Sequence, residues 1–355
     1  MQRGWRNTLP AFFLFENLIT MYKRLLLHFF ACMITMSISA QTPERTYAEK
    51  LGYPKGAKVL ILHVDDVGMS FDSNEGTINA ITKGVATSCS VMMPCPWVPA
   101  FVHYMKEHPG IDAGLHLTLT AEWKGYRWGP LSGKNSTPGL VDKEGAMWYS
   151  VQDVVNNATD DEVEKEIRAQ LERARSMGFE PTHFDTHMGT LLATPGFTQK
   201  YVQLGIENHI PVMLPAGHAT LIKADMNPSA SLLLLLRTVG KKLWDAGLPV
   251  LDDLHNTSYD WKIAADMASD DKKIQEYKTK KFIEGVHSLL PGLTMMIMHC
   301  TATTEVFPYI SDSGPVRRGD MLAMMDPALK KAIQEEGIIL TTWREVNERR
   351  QKVQK

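Results

Sequence analysis

The 355-residue sequence predicts an α/β fold whose parallel sheet closes as a barrel. Three observations lead there. Short apolar runs alternate with amphipathic stretches, the pattern of βα units that builds a parallel sheet. Asp65-Asp66, His116, His187, Asp252-Asp253 and His299 fall at or near the C-terminal ends of separate strand candidates. A barrel gathers residues from several strand ends at one mouth, whereas an open sheet concentrates its site at one switch point. Past Gln41 there is no low-complexity stretch, short repeat or interdomain linker, so residues 41–355 read as a single domain.

The strand candidates are 58–64, 87–92, 111–117, 181–186, 210–214, 248–252, 293–299 and 337–342. Helical stretches lie between them at Asn74–Lys83, Asp161–Met177, Pro195–His209, Leu232–Ala246, Asp271–Leu289 and Pro327–Glu336. The best defined, Asp161–Met177, opens on Thr159-x-x-Glu162, a capping box, and stops at Gly178. The segment from Thr120 to Thr159 breaks the rhythm; a stretch of that length is usually a lid or a binding loop. If exposed, its Trp123 and Trp128 would stack on sugar faces; if packed inward, they are core.

Hydrophobic residues make up 44% and charged residues 22% of the chain, ordinary for a globular protein. A net charge of −2 gives no basic face for nucleic acid or an anionic membrane. From Met21 the chain shows a basic stretch, an apolar run from Leu25 to Ser39 and the small-residue site Ser-Ile-Ser-Ala, the layout of a secretory signal peptide. We therefore expect residues 1–20 to be a spurious upstream extension, residues 21–40 a signal peptide, and the mature chain to be exported, periplasmic or secreted, with no stable membrane span. An uncleaved anchor is the alternative, and a lipoprotein through Cys32 a weaker one. Cys89, Cys95 and Cys300 remain after cleavage and read as buried thiols rather than a disulfide framework.

Carboxylates and imidazoles are costly beside apolar runs unless they bind an ion or each other. Asp65 and Asp66 repel, so burying both at a strand end requires a nearby cation, although an Asp-x-x-Gly turn is the plainer explanation. His116 and His299, each in an apolar strand, are by themselves satisfied core residues more often than ligands. In His183-Phe184-Asp185-Thr186-His187 the three polar side chains share one strand face. At about 3.3 Å per residue, His183 and His187 stand roughly 13 Å apart, too far to share one ion. We expect His187, nearer the loop, to be the ligand, with His183 and Asp185 supporting it or orienting a substrate hydroxyl. Asp252, in Asp252-Asp253-Leu254-His255, is a substrate-binding candidate or a solvated turn. Two His and one Asp suit Zn²⁺ or a similar divalent ion with positions left for water.

Three stretches in order, Val64-Asp65-Asp66-Val67-Gly68, Gly114-Leu115-His116-Leu117-Thr118 and Pro181-Thr182-His183-Phe184-Asp185-Thr186-His187, resemble the YdjC-like carbohydrate (chitooligosaccharide) deacetylases. Ala121-Glu122-Trp123 through Tyr126-Arg127-Trp128-Gly129-Pro130 resembles one branch of that family, and the likeness runs from about Lys58 to Glu345. The resemblance implies a distorted (β/α) TIM-like barrel and one divalent metal ion, Mg²⁺ or Zn²⁺. It further implies Asp66, His116 and His187 as ligands, Asp65 as general base and His299 as acid. Two departures bear on substrate and acid: Met188-Gly189-Thr190 stands where many relatives have a further His, and Cys300-Thr301 where the late His is often followed by Pro-Gly. The implied reaction removes acetyl groups from N-acetylated or O-acetylated sugars, with an acetylated oligosaccharide or amino sugar as partner and a homodimer allowed. Another metal-dependent amide or ester hydrolase, or an exported carbohydrate-binding protein without catalysis, are the alternatives.

Overall fold

The apolar run at Lys58 folds as the central strand β1 (Lys58–Val67), which carries on through Asp65 and Asp66 beyond the expected 58–64. A computed structural model describes residues 45–353, so the expected extension and signal peptide lie outside the described residues. The remaining strands are β2 (Ser88–Val91), β3 (Ala113–Leu117), β4 (Phe184–Thr186), β5 (Asp253–His255), β6 (Gly292–Met298) and β7 (Ile339–Leu340). Among the described residues they form one seven-stranded sheet in the order β4-β3-β2-β1-β6-β5, with β7 on β1. All pairs are parallel, with His63 opposite Ser88 and Val64 opposite Met298.

The edge strands β4 and β5 are joined by residues 212–215. Val212 bridges Phe184 and Pro215 bridges Leu251. Met213 N donates to Phe184 O at 2.8 Å, and Ala216 N to Leu251 O at 3.0 Å. These contacts draw the sheet round into a distorted barrel, as expected. The strand expected at 210–214 is reduced to bridges because Pro211 and Pro215 have no N–H to give a ladder. Pro249 likewise interrupts the run expected at 248–252, and the strand forms later, at Asp253.

Helices clothe the outside. The expected capping box is present in both directions at the start of Asp160–Ser176, and Ser70 caps Phe71–Thr82. Helices Val98–Glu107, Gly314–Met324 and Trp343–Lys352 were not legible in the sequence periodicity. The segment expected as a lid contains a short helix, Val151–Asn157, and is tied down by Glu166. That buried carboxylate accepts from Leu131 N at 3.1 Å and Ser132 N at 2.9 Å. No helix among the described residues is long and apolar enough to cross a membrane. Cys89, Cys95 and Cys300 are free, buried thiols.

Alternation along the strands sorts the side chains. Leu60, Leu62 and Val64 pack with Phe101, Leu171, Tyr201 and Phe282 of the surrounding helices. Val59 and Ile61 pack instead with Met213, Leu293, Met295, Ile297 and Trp343 inside the ring. His63 and Asp65 continue that inner row, so the interior is apolar at its base and polar at the mouth.

Candidate metal centre

The mouth is built by local breaks in regular strands. The β1–β2 register shifts between Val64 and Val67, and Asp66 lies at φ 65°. Asp tolerates that left-handed conformation better than most residues, and a bulge re-aims a side chain. Strict alternation would turn Asp66 outward; the bulge lays it beside Asp65. His116 points inward by the pleat of β3. His187 follows β4 directly, where Met188 at φ 52° and Gly189 at φ 67° turn the chain sharply.

Three donor atoms converge there. His116 Nε2 and His187 Nδ1 are each 3.3 Å from Asp66 Oδ1 and 3.2 Å from each other. Bonds of about 2.1 Å to one ion require donor separations of about 3.0 Å in octahedral and 3.4 Å in tetrahedral geometry, so the trio fits an ion. Asp66 Oδ1 is buried and has no hydrogen-bond partner, a costly arrangement unless a cation sits there. Two other His/Asp groupings come together, His63-His183-Asp185 and Asp65-His116-Asp185. In both, the Asp185 oxygens are already engaged, Oδ2 by His63 Nε2 at 2.8 Å and Oδ1 by His116 Nδ1 at 2.7 Å. Buried His/Asp clusters able to bind a metal are thus present in this chain.

The surroundings hold this trio in place. His116 Nδ1 is 2.7 Å from Asp185 Oδ1, and His187 Nε2 is 3.1 Å from both Glu122 oxygens. Arg317, from helix Gly314–Met324, sets Nη1 2.7 Å from Asp66 Oδ2. Burial alone would raise the Asp66 carboxyl, but Arg317 and the two imidazoles outweigh it and hold it well below the ordinary carboxylate range. His63 Nε2 lies 2.8 Å from Asp185 Oδ2 and 3.1 Å from Asp65 Oδ1. Burial pulls the His63 imidazole down, yet the two carboxylates carry it up to about 9. Asp65, Asp66, Asp185 and Glu122, set against Arg317 and His63⁺, leave two negative charges, the complement of a divalent ion on neutral His116 and His187.

Asp65 Oδ2 faces the same space, 3.8 Å from His116 Nε2 and 4.0 Å from His299 Nε2. His299 is fixed through its backbone N, 3.1 Å from Asp320 Oδ2, and Tyr259 meets its ring edge-on at 5.1 Å. Burial above all pushes the His299 imidazole down to about 4, with Arg317 adding to it against the pull of Asp66.

The structure thus brings Asp65, Asp66, His116, Asp185, His187 and His299 together. His183 stands behind them, its Nε2 3.9 Å from Asp185 Oδ2, while Asp252, Trp123 and Trp128 take other positions. His183 lies deeper, stacked on Trp343 at 5.0 Å and packed under Gly114, where a side chain would collide with its ring. Asp252 is not at the mouth: its carboxylate accepts from Tyr47 N at 2.8 Å, Ala48 N at 3.0 Å and Leu293 N at 2.8 Å. Leu293 is the second residue of β6, so Asp252 caps a short helix at the far end of the barrel instead of meeting substrate. Trp123 and Trp128 are only 9% and 6% exposed, and the Trp128 indole N–H donates to Thr120 O at 3.0 Å. They are core. Among the described residues the exposed aromatics include Phe71, Trp97, Tyr149 and Tyr309. Sequence reasoning missed His63, Glu122 and Arg317. Only His63 had a signal, its position two residues before Asp65 on the same strand face.

Comparison with known proteins identifies the family. The model of the YdjC-like protein family matches residues 59–335. A carbohydrate deacetylase of Thermus thermophilus is 29% identical over 300 residues, covering 84% of this chain and 97% of that protein. The carbohydrate deacetylase of Brevibacillus brevis is 34% identical over 166 residues, 47% of this chain and 63% of that protein. A crystal structure from Enterococcus faecalis V583, described as a candidate cellobiose-phosphate cleavage protein, superposes with a TM-score of 0.64 at 21% identity. It covers 82% of this chain and 99% of its own, and so shares the fold. This chain belongs to the YdjC-like protein family.

Proposed function

We propose that this protein is a metal-dependent carbohydrate deacetylase that removes an N-acetyl or O-acetyl group from an oligosaccharide or amino sugar. The relatives named carbohydrate deacetylase support the hydrolase class. The observation that carries the chemistry is the convergence of Asp66 Oδ1, His116 Nε2 and His187 Nδ1, with Asp65 beside them. Two imidazoles and one carboxylate suit Zn²⁺ better than Mg²⁺, which prefers oxygen donors. When bound, such an ion supplies Lewis-acid polarisation of a carbonyl and acidification of water.

The protein's own groups do the rest. His63 occupies Asp65 Oδ1 and leaves Oδ2 turned to the mouth, placed to take a proton from the attacking water. General-base help of this kind contributes about 10²- to 10⁴-fold. His299 is neutral near pH 7, its imidazole at about 4, so the proton it donates has to come from the reaction. At 4.0 Å from Asp65 Oδ2, with a slight approach or one intervening water, it receives that proton and delivers it to the leaving nitrogen or oxygen. The acyl C–N or C–O bond breaks as water's oxygen joins the acyl carbon, giving acetate and the free amine or hydroxyl. Export after cleavage at Ala40 belongs to this reading, supported by the basic, apolar and small-residue layout of residues 21–40. N-terminal sequencing of secreted protein tests it, and a mature chain starting before Gln41 contradicts it. Asp65→Asn tests the chemistry: turnover should collapse while ion affinity stays within a few-fold, and full activity in this variant would remove Asp65 as base.

A further inference from the structure

We infer that Glu122 is a positioning residue for the ion: it fixes the ring and tautomer of His187. The inference rests on the proposed ligand set. His187 Nδ1 faces Asp66 and His116, which leaves Nε2 as the outer nitrogen. Both Glu122 oxygens lie 3.1 Å from Nε2, so in the neutral ring the proton sits on Nε2 and the Nδ1 lone pair is left for an ion. His187 depends on this contact more than its neighbour does. His116 is held by the ladder of β3 and by Asp185. His187 instead follows β4 and precedes two left-handed residues, so no ladder fixes its ring.

Glu122 is itself held from both sides. Ala121 N donates to Trp148 O at 2.8 Å, and Arg127 Nε donates to Ala121 O at 3.1 Å. Trp123 is buried with its ring 5.7 Å from the Arg317 guanidinium, which in turn pairs with Asp66. Residues 121–123 therefore brace two of the three candidate ligands. The segment that reads from sequence as a substrate lid is, at this point, part of the metal centre. A surface pair with no such role would contribute little. Glu122 differs because its partner is a buried imidazole whose other nitrogen points at the ion.

The test is calorimetric titration of Zn²⁺ into the chelator-stripped full chain, for wild type, Glu122→Ala and Glu122→Gln, with the melting temperature of each ion-free form. Glu122→Ala should bind Zn²⁺ about 10- to 100-fold more weakly, the usual loss when a ligand's outer partner is removed. Glu122→Gln retains an acceptor for Nε2 and should recover part of that loss. Ion-free melting, compared above about pH 9 where His187 carries no charge for Glu122 to pair with, should be the same in all three. Wild-type affinity in Glu122→Ala overturns the inference, as does Glu122→Gln binding no better than Glu122→Ala. Loss of affinity accompanied by lowered ion-free melting also overturns it, pointing to a structural role. A wild type that binds no Zn²⁺ sinks the ligand set and this inference with it, a failure distinct from any confined to the variants. Substrate plays no part in the readout, so an error in the deacetylase assignment leaves the test intact.

Discussion

Replacing Arg317 with Met should destabilise the ion-free protein while tightening its hold on a divalent ion. The guanidinium lies 2.7 Å from Asp66 Oδ2, and both side chains are almost wholly buried. Removing one partner of a buried pair costs about 3–5 kcal/mol, because the remaining charge is left without compensation. Arg317 also donates from Nε to Ser313 Oγ at 2.8 Å and lies 5.3 Å from the Tyr259 ring. Losing these puts the expectation toward the upper end of that range. Asp66→Asn strands the guanidinium instead, so the double variant should be less destabilised than the two singles sum to, by at least about 2 kcal/mol. A divalent ion beside Asp66 offers a replacement countercharge. The Arg317→Met deficit should then shrink on loading, because a cation competing for the same carboxylate has gone. Guanidinium chloride unfolding at pH 7, in chelator and in excess Zn²⁺, measures both effects. An ion-free Arg317→Met protein within about 1 kcal/mol of wild type, or a double variant that is simply additive, would refute the claim that Arg317 balances a buried Asp66 charge.

Ion affinity should rise with pH from neutrality up to at least about 9, because His116 and His187 are both raised in the ion-free site. Burial lowers the His187 imidazole, but Glu122 and Asp66 outweigh it and raise it to about 9 in the ion-free site. Below that pH a proton must leave as the ion enters, so affinity climbs by about tenfold per pH unit for each proton displaced; flat affinity from pH 6 to 9 contradicts this. Glu166→Ala strips acceptors from Leu131 N, Ser132 N and Ser132 Oγ. It should cost about 1–3 kcal/mol and open the segment around residues 120–148 to proteolysis; an unchanged cleavage pattern would show that the segment is anchored elsewhere. Phe71 and Trp97 meet at 5.3 Å and are exposed beside Gly68, whose O accepts from Trp97 N at 3.1 Å. Trp97→Ala should raise KM for acetylated oligosaccharides several-fold with kcat little changed, as loss of uniform binding does; unaltered KM across chain lengths removes this pair from the binding surface.

The strand ends were legible because polar side chains interrupting apolar runs have few explanations. Asp65-Asp66, His116 and His187 stood out for that reason, and the 13 Å argument separated His187 from His183. The parity of β1 was legible too, but not the bulge that overrides it, since Asp66 reaches the site only through its left-handed backbone. Arg317 was invisible because an arginine on an amphipathic helix looks like any solvated charge; only the tertiary fold buries it on Asp66. Glu122 lies in irregular chain where no period assigns a direction. Trp123 and Trp128 could be read as exposed or as core because Gly and Pro are scattered through their segment. In the fold Met147 N returns to Trp128 O at 2.9 Å and closes the segment over their rings. Asp252 misled for a different reason. Pro249 delays β5, so a carboxylate expected after a strand in fact precedes one, at the wrong end of the barrel.

The central claim is that Asp66, His116 and His187 hold an ion on which deacetylation depends. Acetate release from a panel of N- and O-acetylated oligosaccharides tests it most directly, using chelator-stripped protein with Zn²⁺, Mg²⁺ or Mn²⁺ restored. The account predicts no release from the stripped protein and recovery with at least one ion, lost again in His116→Ala. Equal release with and without metal, or none with any ion despite tight binding, would contradict it.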